Sequence, residues 1–363
     1  MTQLANVSEK QSYDIGAKPS VIDLFSGAGG LSQGLKQAGF DVIGAVEVKP
    51  AFAHSYSLNH KSTRMFLEDI HHLSPNSVMQ ELGLRPGDLD LLSGCPPCQG
   101  FSTIGTRNRK ARDDDPRNDL IFDMLSFVEV MMPKTIMIEN VPYLASDKRM
   151  AIVKNRFELL GYHTDIKILN MINYDVPQSR KRMIMLASNL GNIKVIERLV
   201  PPDKFKTVRE AIGSQPQCDT SDDELHNYRV KRSERILRII SLIPKNGGSR
   251  SSLPENFQLK CHKKTTGFKD VYGRMSWDRP SPTITGGCTN PSKGRFLHPE
   301  ENRAITLREA SLLQTFPADY RFSFENGRDG IATMIGNALP PKFIEFHASY
   351  IKEHILQHTQ NGH

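Results

Sequence analysis

The nine residues from Gly94 to Ser102 read Gly-Cys-Pro-Pro-Cys-Gln-Gly-Phe-Ser, and they follow an apolar run, Leu89-Asp90-Leu91-Leu92. That run has the character of a short buried strand. A cysteine in a proline-glycine turn at the end of such a strand is well placed to act as a nucleophile. The strand fixes the thiol, and Pro96 and Pro97 restrict the backbone ahead of it. A thiolate is the most nucleophilic side chain near neutral pH once a base or a local field lowers its pKa. Two other chemistries share the spacing. Cys95 and Cys98 form a C-x-x-C, which is half of a zinc site or a redox pair. A zinc site needs a second pair, whereas Cys218, Cys261 and Cys288 stand singly.

Further polar groups fall at the ends of other apolar runs. Residues 21–25 read as a buried strand, followed by the turn Ser26-Gly27-Ala28-Gly29-Gly30 and a helix over 31–38. Strand, glycine turn and helix open a doubly wound, mostly parallel α/β sheet, with its ligand at the carboxyl ends of the strands. The turn lacks the full G-x-G-x-x-G pattern, so it does not separate a dinucleotide from other adenosine cofactors. A second strand over 42–46 ends on Glu47, about twenty residues past the turn, where an acid can bond ribose hydroxyls. A third, around 65–67, leads to Asp69 and Ile70. Helices over 118–131 and 148–160 flank a strand over 135–138 that ends on Glu139-Asn140-Val141. A two-strand stretch then runs through Gln178-Ser179-Arg180-Lys181-Arg182, where alternation sets Gln178, Arg180 and Arg182 on one face.

The chain has 363 residues, enough for one large domain and a smaller one. Its five cysteines, an odd number, argue for a reducing compartment. The first twenty residues lack the layout of a signal peptide, and no run reaches the roughly 18 apolar residues of a membrane span. A cytoplasmic protein is expected. The net charge of +7 is unevenly placed: residues 190–300 carry 20 Lys/Arg against 12 Asp/Glu, and the remainder 27 against 28. The basic excess therefore marks one block as polyanion-facing or as a lysine-rich solvated face. This block is rich in Pro, Gly and Ser and holds the single Trp277. The expected organisation is an N-terminal arm (1–20), a catalytic and cofactor-binding domain (21–189), an irregular smaller domain (190–300) and a return to the first domain (301–363). In the last part a helix over 306–314 is capped by Thr306 with Glu309, and Gly336-Asn337-Ala338-Leu339-Pro340-Pro341 opens a final helix to about 358.

In this order the stretches resemble the DNA cytosine carbon-5 methyltransferases, the bacterial modification enzymes in particular. The resemblance spans Val21 to Pro341. It rests on Asp23 to Gly30, Pro96-Pro97-Cys98-Gln99, Glu139-Asn140-Val141 and Gln178-x-Arg180-x-Arg182, then on Arg308-Glu309 with Leu313 to Pro317, and on Gly336-Asn337-Ala338. Residues 190–300 take the place of the family's target-recognition region.

The resemblance implies a S-adenosylmethionine-dependent methyltransferase fold and a division of labour. Cys98 would be the nucleophile, with Cys95 a packed bystander. Glu139 would meet ring nitrogen 3, and Arg180, with Arg182, would hold the carbonyl oxygen of the base. For the cofactor, Phe25 would cover the adenine, Gly27, Gly29 and Gly30 would admit the methionine portion, Glu47 would take the ribose and Asp69 with Ile70 the adenine, with Leu120 and Asn337 completing the pocket. Gln99, Ser102, Arg107, Thr283 and Thr285 are the expected DNA contacts, and the basic stretch 102–115 is the expected lid. The target base must leave the duplex, as it does in methyltransferases generally. The partners implied are double-stranded DNA and a restriction endonuclease acting on the same site, the protein itself being a monomer in the cytoplasm on nucleoid DNA, with no metal.

A tRNA cytosine methyltransferase shares these motifs, but that branch carries Cys-Phe-Thr where this chain has Cys288-Thr289-Asn290. A catalytically idle DNA-binding module would tolerate loss of Cys98, Glu139 or Arg180, all of which are present. A nicotinamide oxidoreductase leaves Pro96 to Gln99 unexplained.

Overall fold

A computed structural model describes residues 18–97, 119–227, 230–258 and 270–360. Seven strands form one sheet: β1 (Ser20–Leu24), β2 (Asp41–Val46), β3 (Arg64–Phe66), β4 (Leu91–Gly94), β5 (Thr135–Asn140), β6 (His163–Asn170) and β7 (Lys181–Ser188). Their order is β3-β2-β1-β4-β5-β7-β6. The first five run parallel, and β7 alone is antiparallel to both of its neighbours. The doubly wound expectation holds, and the order reverses between β1 and β4, where such sheets bind ligands.

Helices cover both faces, as strands apolar on both sides require. On one face α1 (Gly30–Gln37) packs with the C-terminal helix, over a core that includes Leu31, Leu35, Val42, Leu91, Phe343 and Ile351. On the other, α3 (Pro75–Leu82), α4 (Leu120–Met131) and α5 (Lys148–Leu159) cover Ile22, Leu24, Leu92, Ile138 and Met185. The remaining helices among the described residues are α2 (Pro50–Asn59), α6 (Val208–Ile212), α7 (Glu234–Leu242), α8 (Leu307–Leu313), α9 (Gly327–Asn337) and α10 (Pro341–Gln360).

Two strand limits shift from expectation for visible reasons. β1 starts at Ser20 because its amide and hydroxyl both donate to Asp90 Oδ2, at 2.8 and 3.2 Å. It stops before Phe25, whose φ of 60° takes the backbone out of strand geometry.

A third core joins Ala28 and Phe52 of the first half to Val208, Met275, Ile284, Leu307, Ile331 and Ile335. The expected boundary at residue 300 has no counterpart in this packing. Residues 305–335 share the core of 208–296, and the chain rejoins the sheet core at Leu339. A small fourth core gathers Ile239, Ile240, Leu253 and Leu297.

The cap expected for α8 is present: Thr306 Oγ1 accepts from the Glu309 amide at 3.1 Å, and Glu309 Oε2 accepts from the Thr306 amide at 2.7 Å. The final helix, α10, starts at Pro341, the last residue of the stretch expected to open it and one suited to a first helical turn, while Gly336 and Asn337 end α9. Among the described residues no helix is long and apolar enough to cross a membrane.

Candidate active site

The first wall of the site is the turn after β1. Phe25, Gly27 and Gly29 all have left-handed backbones, with φ of 60°, 58° and 93°. At Gly29 a side chain is excluded twice over, since a Cβ would stand 2.6 Å from both His60 Nε2 and Tyr320 Oη. At Gly27 the same position is open, with no atom within 4 Å. Glu47, at the end of β2, spans the turn: Oε2 accepts from the Gly27 amide at 2.9 Å and Oε1 from the Lys49 amide at 2.8 Å. Burial pushes its carboxyl above the usual range, against those amide bonds. Each oxygen keeps a lone pair for a further donor. Asp69 accepts from the His71 amide at 3.1 Å, Ile70 is buried, and Phe25 and Leu120 pack against the same core as Ile70. Asn337 is exposed at the end of α9.

Beneath the turn lies a buried acid that the sequence reading passed over. Asp23 is fully enclosed; its Oδ2 accepts from Ser32 Oγ at 2.6 Å, and Oδ1 has no partner among the described residues. Burial, with Glu47 adding to it, pushes the carboxyl up to about 7.

The second wall is built where β4 and β5 end side by side. Asn140 Nδ2 donates to the Pro96 carbonyl at 2.8 Å, and its Oδ1 accepts from the Val141 amide at 2.8 Å. Glu139, one residue earlier, is 6% exposed. Because β7 runs antiparallel to β5, pairing Asn140 with Met183, the start of β7 passes directly beside this end. Arg182 Nε thereby stands 3.0 Å from Glu139 Oε1. Burial raises the Glu139 carboxyl, Arg182 and Arg180 oppose the rise, and the net direction is upward.

Cys95 stands beside Glu139 because β4 and β5 end together. Burial, with the neighbouring Glu139 and Asp23 adding to it, holds its thiol well above the usual range.

The two arginines have different surroundings. Arg180 is 4% exposed and spends Nη1 on two carbonyls, Ile284 and Gly336, both at 3.0 Å. Desolvation and the neighbouring Arg182 lower it to about 9. Arg182 is the more accessible of the two, and its Nη1 donates to the Lys181 carbonyl at 2.8 Å. Gln178 shares Ile284 with Arg180, accepting from its amide, and donates to Gln314, whereas Arg182 faces Glu139.

Cys98, Gln99, Ser102, Arg107, the stretch 102–115 and Cys261 lie outside the described residues. Thr283 Oγ1 donates to the Ser179 carbonyl at 2.9 Å, while Thr285 is exposed. Cys218 and Cys288 are buried, as expected of packing residues. The residues missed from sequence are Asp23, Cys95, Asn140 and Gln314. Each had a signal, a polar or thiol group inside a motif, but its partner is remote in the chain.

The model of the family described as C-5 cytosine-specific DNA methylase matches residues 20–353. The Type II methylase M.HgiDII of Herpetosiphon aurantiacus is 34% identical over 333 residues, 88% of this chain and 91% of the relative. The Type II methyltransferase M1.HphI of Haemophilus parahaemolyticus is 33% identical over 345 residues, 94% and 87% of the two chains. Among solved structures, a DNA modification methyltransferase encoded within a prophage of E. coli superposes with a TM-score of 0.69 at 22% identity, covering 94% of this chain and all of that one. The S. pombe Dnmt2 methyltransferase gives 0.64, also at 22% identity, over 93% and 99%. At that identity the two structures speak to the fold alone.

Proposed function

The chain belongs to the C-5 cytosine-specific DNA methylase family and is a DNA cytosine-5 methyltransferase, and from that premise we propose that it modifies one short duplex sequence for a Type II restriction-modification system. The observation that carries the catalytic reading is the buried Glu139 carboxyl, paired with Arg182 at 3.0 Å, on the strand end that Asn140 ties to Pro96. A buried acid with a raised pKa can hold a proton at neutral pH and share it with a base that gains electron density.

Carbon 5 of cytosine is too weak a nucleophile to take a methyl group directly. Cys98 adds its thiolate to carbon 6 of a cytosine turned out of the duplex; the carbon–sulfur bond forms and the 5,6 electron pair shifts toward carbon 5. Protonated Glu139 donates to ring nitrogen 3 as that charge develops. Arg182, the more accessible of the two, takes the carbonyl oxygen, with Arg180 fixed beside it through Nη1 to two backbone carbonyls. Loss of the carbon-5 proton to water and departure of Cys98 restore the ring.

S-adenosylmethionine, when bound, supplies the electrophilic methyl group. The residues fit it: Gly27 leaves open space in the turn, Glu47 retains lone pairs for ribose hydroxyls, and the crevice lies at the reversal of strand order. Phe25, Gly27, Gly29, Gly30, Glu47, Asp69, Ile70, Leu120 and Asn337 would hold it. Residues 190–300 supply the DNA-facing block, with Thr283 and Thr285 among its contacts and Gln99, Ser102 and Arg107 meeting the flipped base and its phosphates. The enzyme acts as a monomer in the cytoplasm, alongside an endonuclease of the same site.

The test is methylation-sensitive sequencing of plasmid DNA from cells expressing the chain, beside a Cys98→Ser control. Cytosine methylation at one motif, absent from the control, is expected. Unmethylated plasmid from both would sink the reading and direct the assay to tRNA.

A further inference from the structure

Four segments, around residues 178, 284, 314 and 335, meet in a core with no access to solvent. Gln178 and Gln314 are both 0% exposed. The Ile284 amide donates to Gln178 Oε1 at 2.9 Å, Gln178 Nε2 donates to Gln314 Oε1 at 2.7 Å, and Gln314 Nε2 donates to the Ile335 carbonyl at 2.6 Å. The two ends fix the direction of this chain. A backbone N–H at Ile284 demands an acceptor and a backbone carbonyl at Ile335 demands a donor, so neither amide can flip.

A second bridge joins the 284 segment to the end of α9 one residue further along: Arg180 Nη1 donates to the carbonyls of Ile284 and Gly336. The segments touch so closely that a Cβ at Gly336 would lie 2.1 Å from Gly286 N and from Thr285 C. The residues immediately after the clamped ones, Thr285 and Asn337, are exposed.

A hydrophobic pair would fill the same volume and hold no particular register. A polarised chain of three hydrogen bonds, satisfied only at one offset, adds registration. We infer that Gln178 and Gln314 are specificity-positioning residues, which with Arg180 hold the 283–286 segment at a fixed offset from the end of α9 and so set where its side chains meet duplex DNA. This rests on the reading above that Thr283 and Thr285 face the DNA. Their role is positional: Gln178 acts through the Ile284 amide, and Gln314 through Gln178 and the Ile335 carbonyl.

The experiment is deep sequencing of methylation on a plasmid library holding the cognate site and every single-base variant of it, giving a fidelity ratio for each enzyme. Gln178→Leu and Gln314→Leu should lower that ratio about tenfold, the scale set by losing the discrimination of one base contact. Thr285→Ala should relax it at the same base positions. Gln178→Glu keeps the acceptor for Ile284 and regains the donor only when protonated. Its fidelity should therefore return toward wild type as pH falls from 8.5 to 6, a dependence that a filler of the core would not show. If Thr285→Ala relaxes fidelity while Gln178→Leu, Gln314→Leu and Gln178→Glu at pH 8.5 match wild type, the clamp is packing alone and the inference is wrong. If Thr283→Ala and Thr285→Ala both leave the ratio unchanged, the DNA-facing reading of the segment fails first, and the inference falls with it.

Discussion

The carboxamide of Asn140 donates to the carbonyl of Pro96 at 2.8 Å, with its own oxygen held by the Val141 amide at 2.8 Å. One side chain thus ties the strand end that carries Glu139 to the turn that leads in sequence to Cys98. Its two bonds use both functional atoms, so the amide cannot swivel and the two strand ends keep one spacing.

Replacing Asn140 by Ala leaves the Pro96 carbonyl and the Val141 amide unpaired. Leaving buried groups unpaired costs about 1–3 kcal/mol each, and misplacing reacting groups costs about a hundredfold in rate. Single-turnover methylation by N140A should fall about that much with cofactor affinity retained. A single-turnover rate equal to wild type would remove Asn140 from any role in positioning.

In the mechanism proposed above Glu139 works in its protonated form, and burial raises its pKa. Activity should therefore fall on the alkaline side as the proton is lost. Glu139→Gln cannot lose a proton there. Its turnover should drop by about 10²–10⁴, the usual worth of a positioned acid, and the residual rate should show no alkaline fall attributable to this group. A pH–rate profile for both enzymes decides it; an unchanged alkaline limb in E139Q would assign that limb elsewhere.

The two arginines should separate cleanly on substitution by Lys. Arg180→Lys has donors enough for two bonds, but its shorter side chain stops short of the Nη1 position and its ammonium is harder to strip of water at that depth, so the loss should appear as a lowered melting temperature, on the order of 2–4 kcal/mol of stability. Arg182→Lys should fold as wild type and lose about 10²–10³ in turnover, as for removal of an electrostatic donor at the developing charge. Melting curves beside turnover numbers test the pair, and the reverse pattern would restore Arg180 as the group that holds the base.

Asp23 makes stability depend on pH. Its carboxyl lies at about 7 in the folded chain against an ordinary 3.8, so the folded state holds the proton more tightly than the unfolded one. The resulting stabilisation is full below 3.8 and is lost as pH rises through about 7. Asp23→Asn abolishes that slope, which amounts at most to about 4 kcal/mol across the window. Urea unfolding at pH 5 and pH 8 measures it: the wild type should lose more stability between the two than D23N. Equal losses would mean that Asp23 is ionised throughout.

Local pattern carried most of what was legible in the sequence. The strand ends bearing Phe25, Glu47, Asp69 and Glu139 follow from short apolar runs broken by polar residues, and the Thr306–Glu309 cap is complete within four positions. Glycines 27 and 29 announce a backbone that other residues adopt at a cost. These features are settled by neighbours in the chain, and the one-dimensional reading reaches them. The roles of side chains whose partners are remote were decided only by the fold. Arg180 and Arg182 look equivalent in sequence, yet one is bound to carbonyls 104 and 156 residues away and the other to Glu139 across β5 and β7. Gln178 meets Gln314 across 136 residues, and Cys95 comes to lie beside Glu139 because β4 and β5 end together. The packing limit after residue 335 belongs to the same class, since a boundary is a property of which surfaces meet. Alternation and turn signals fix where a side chain starts, and the hydrogen-bond geometry of a folded core fixes what it reaches.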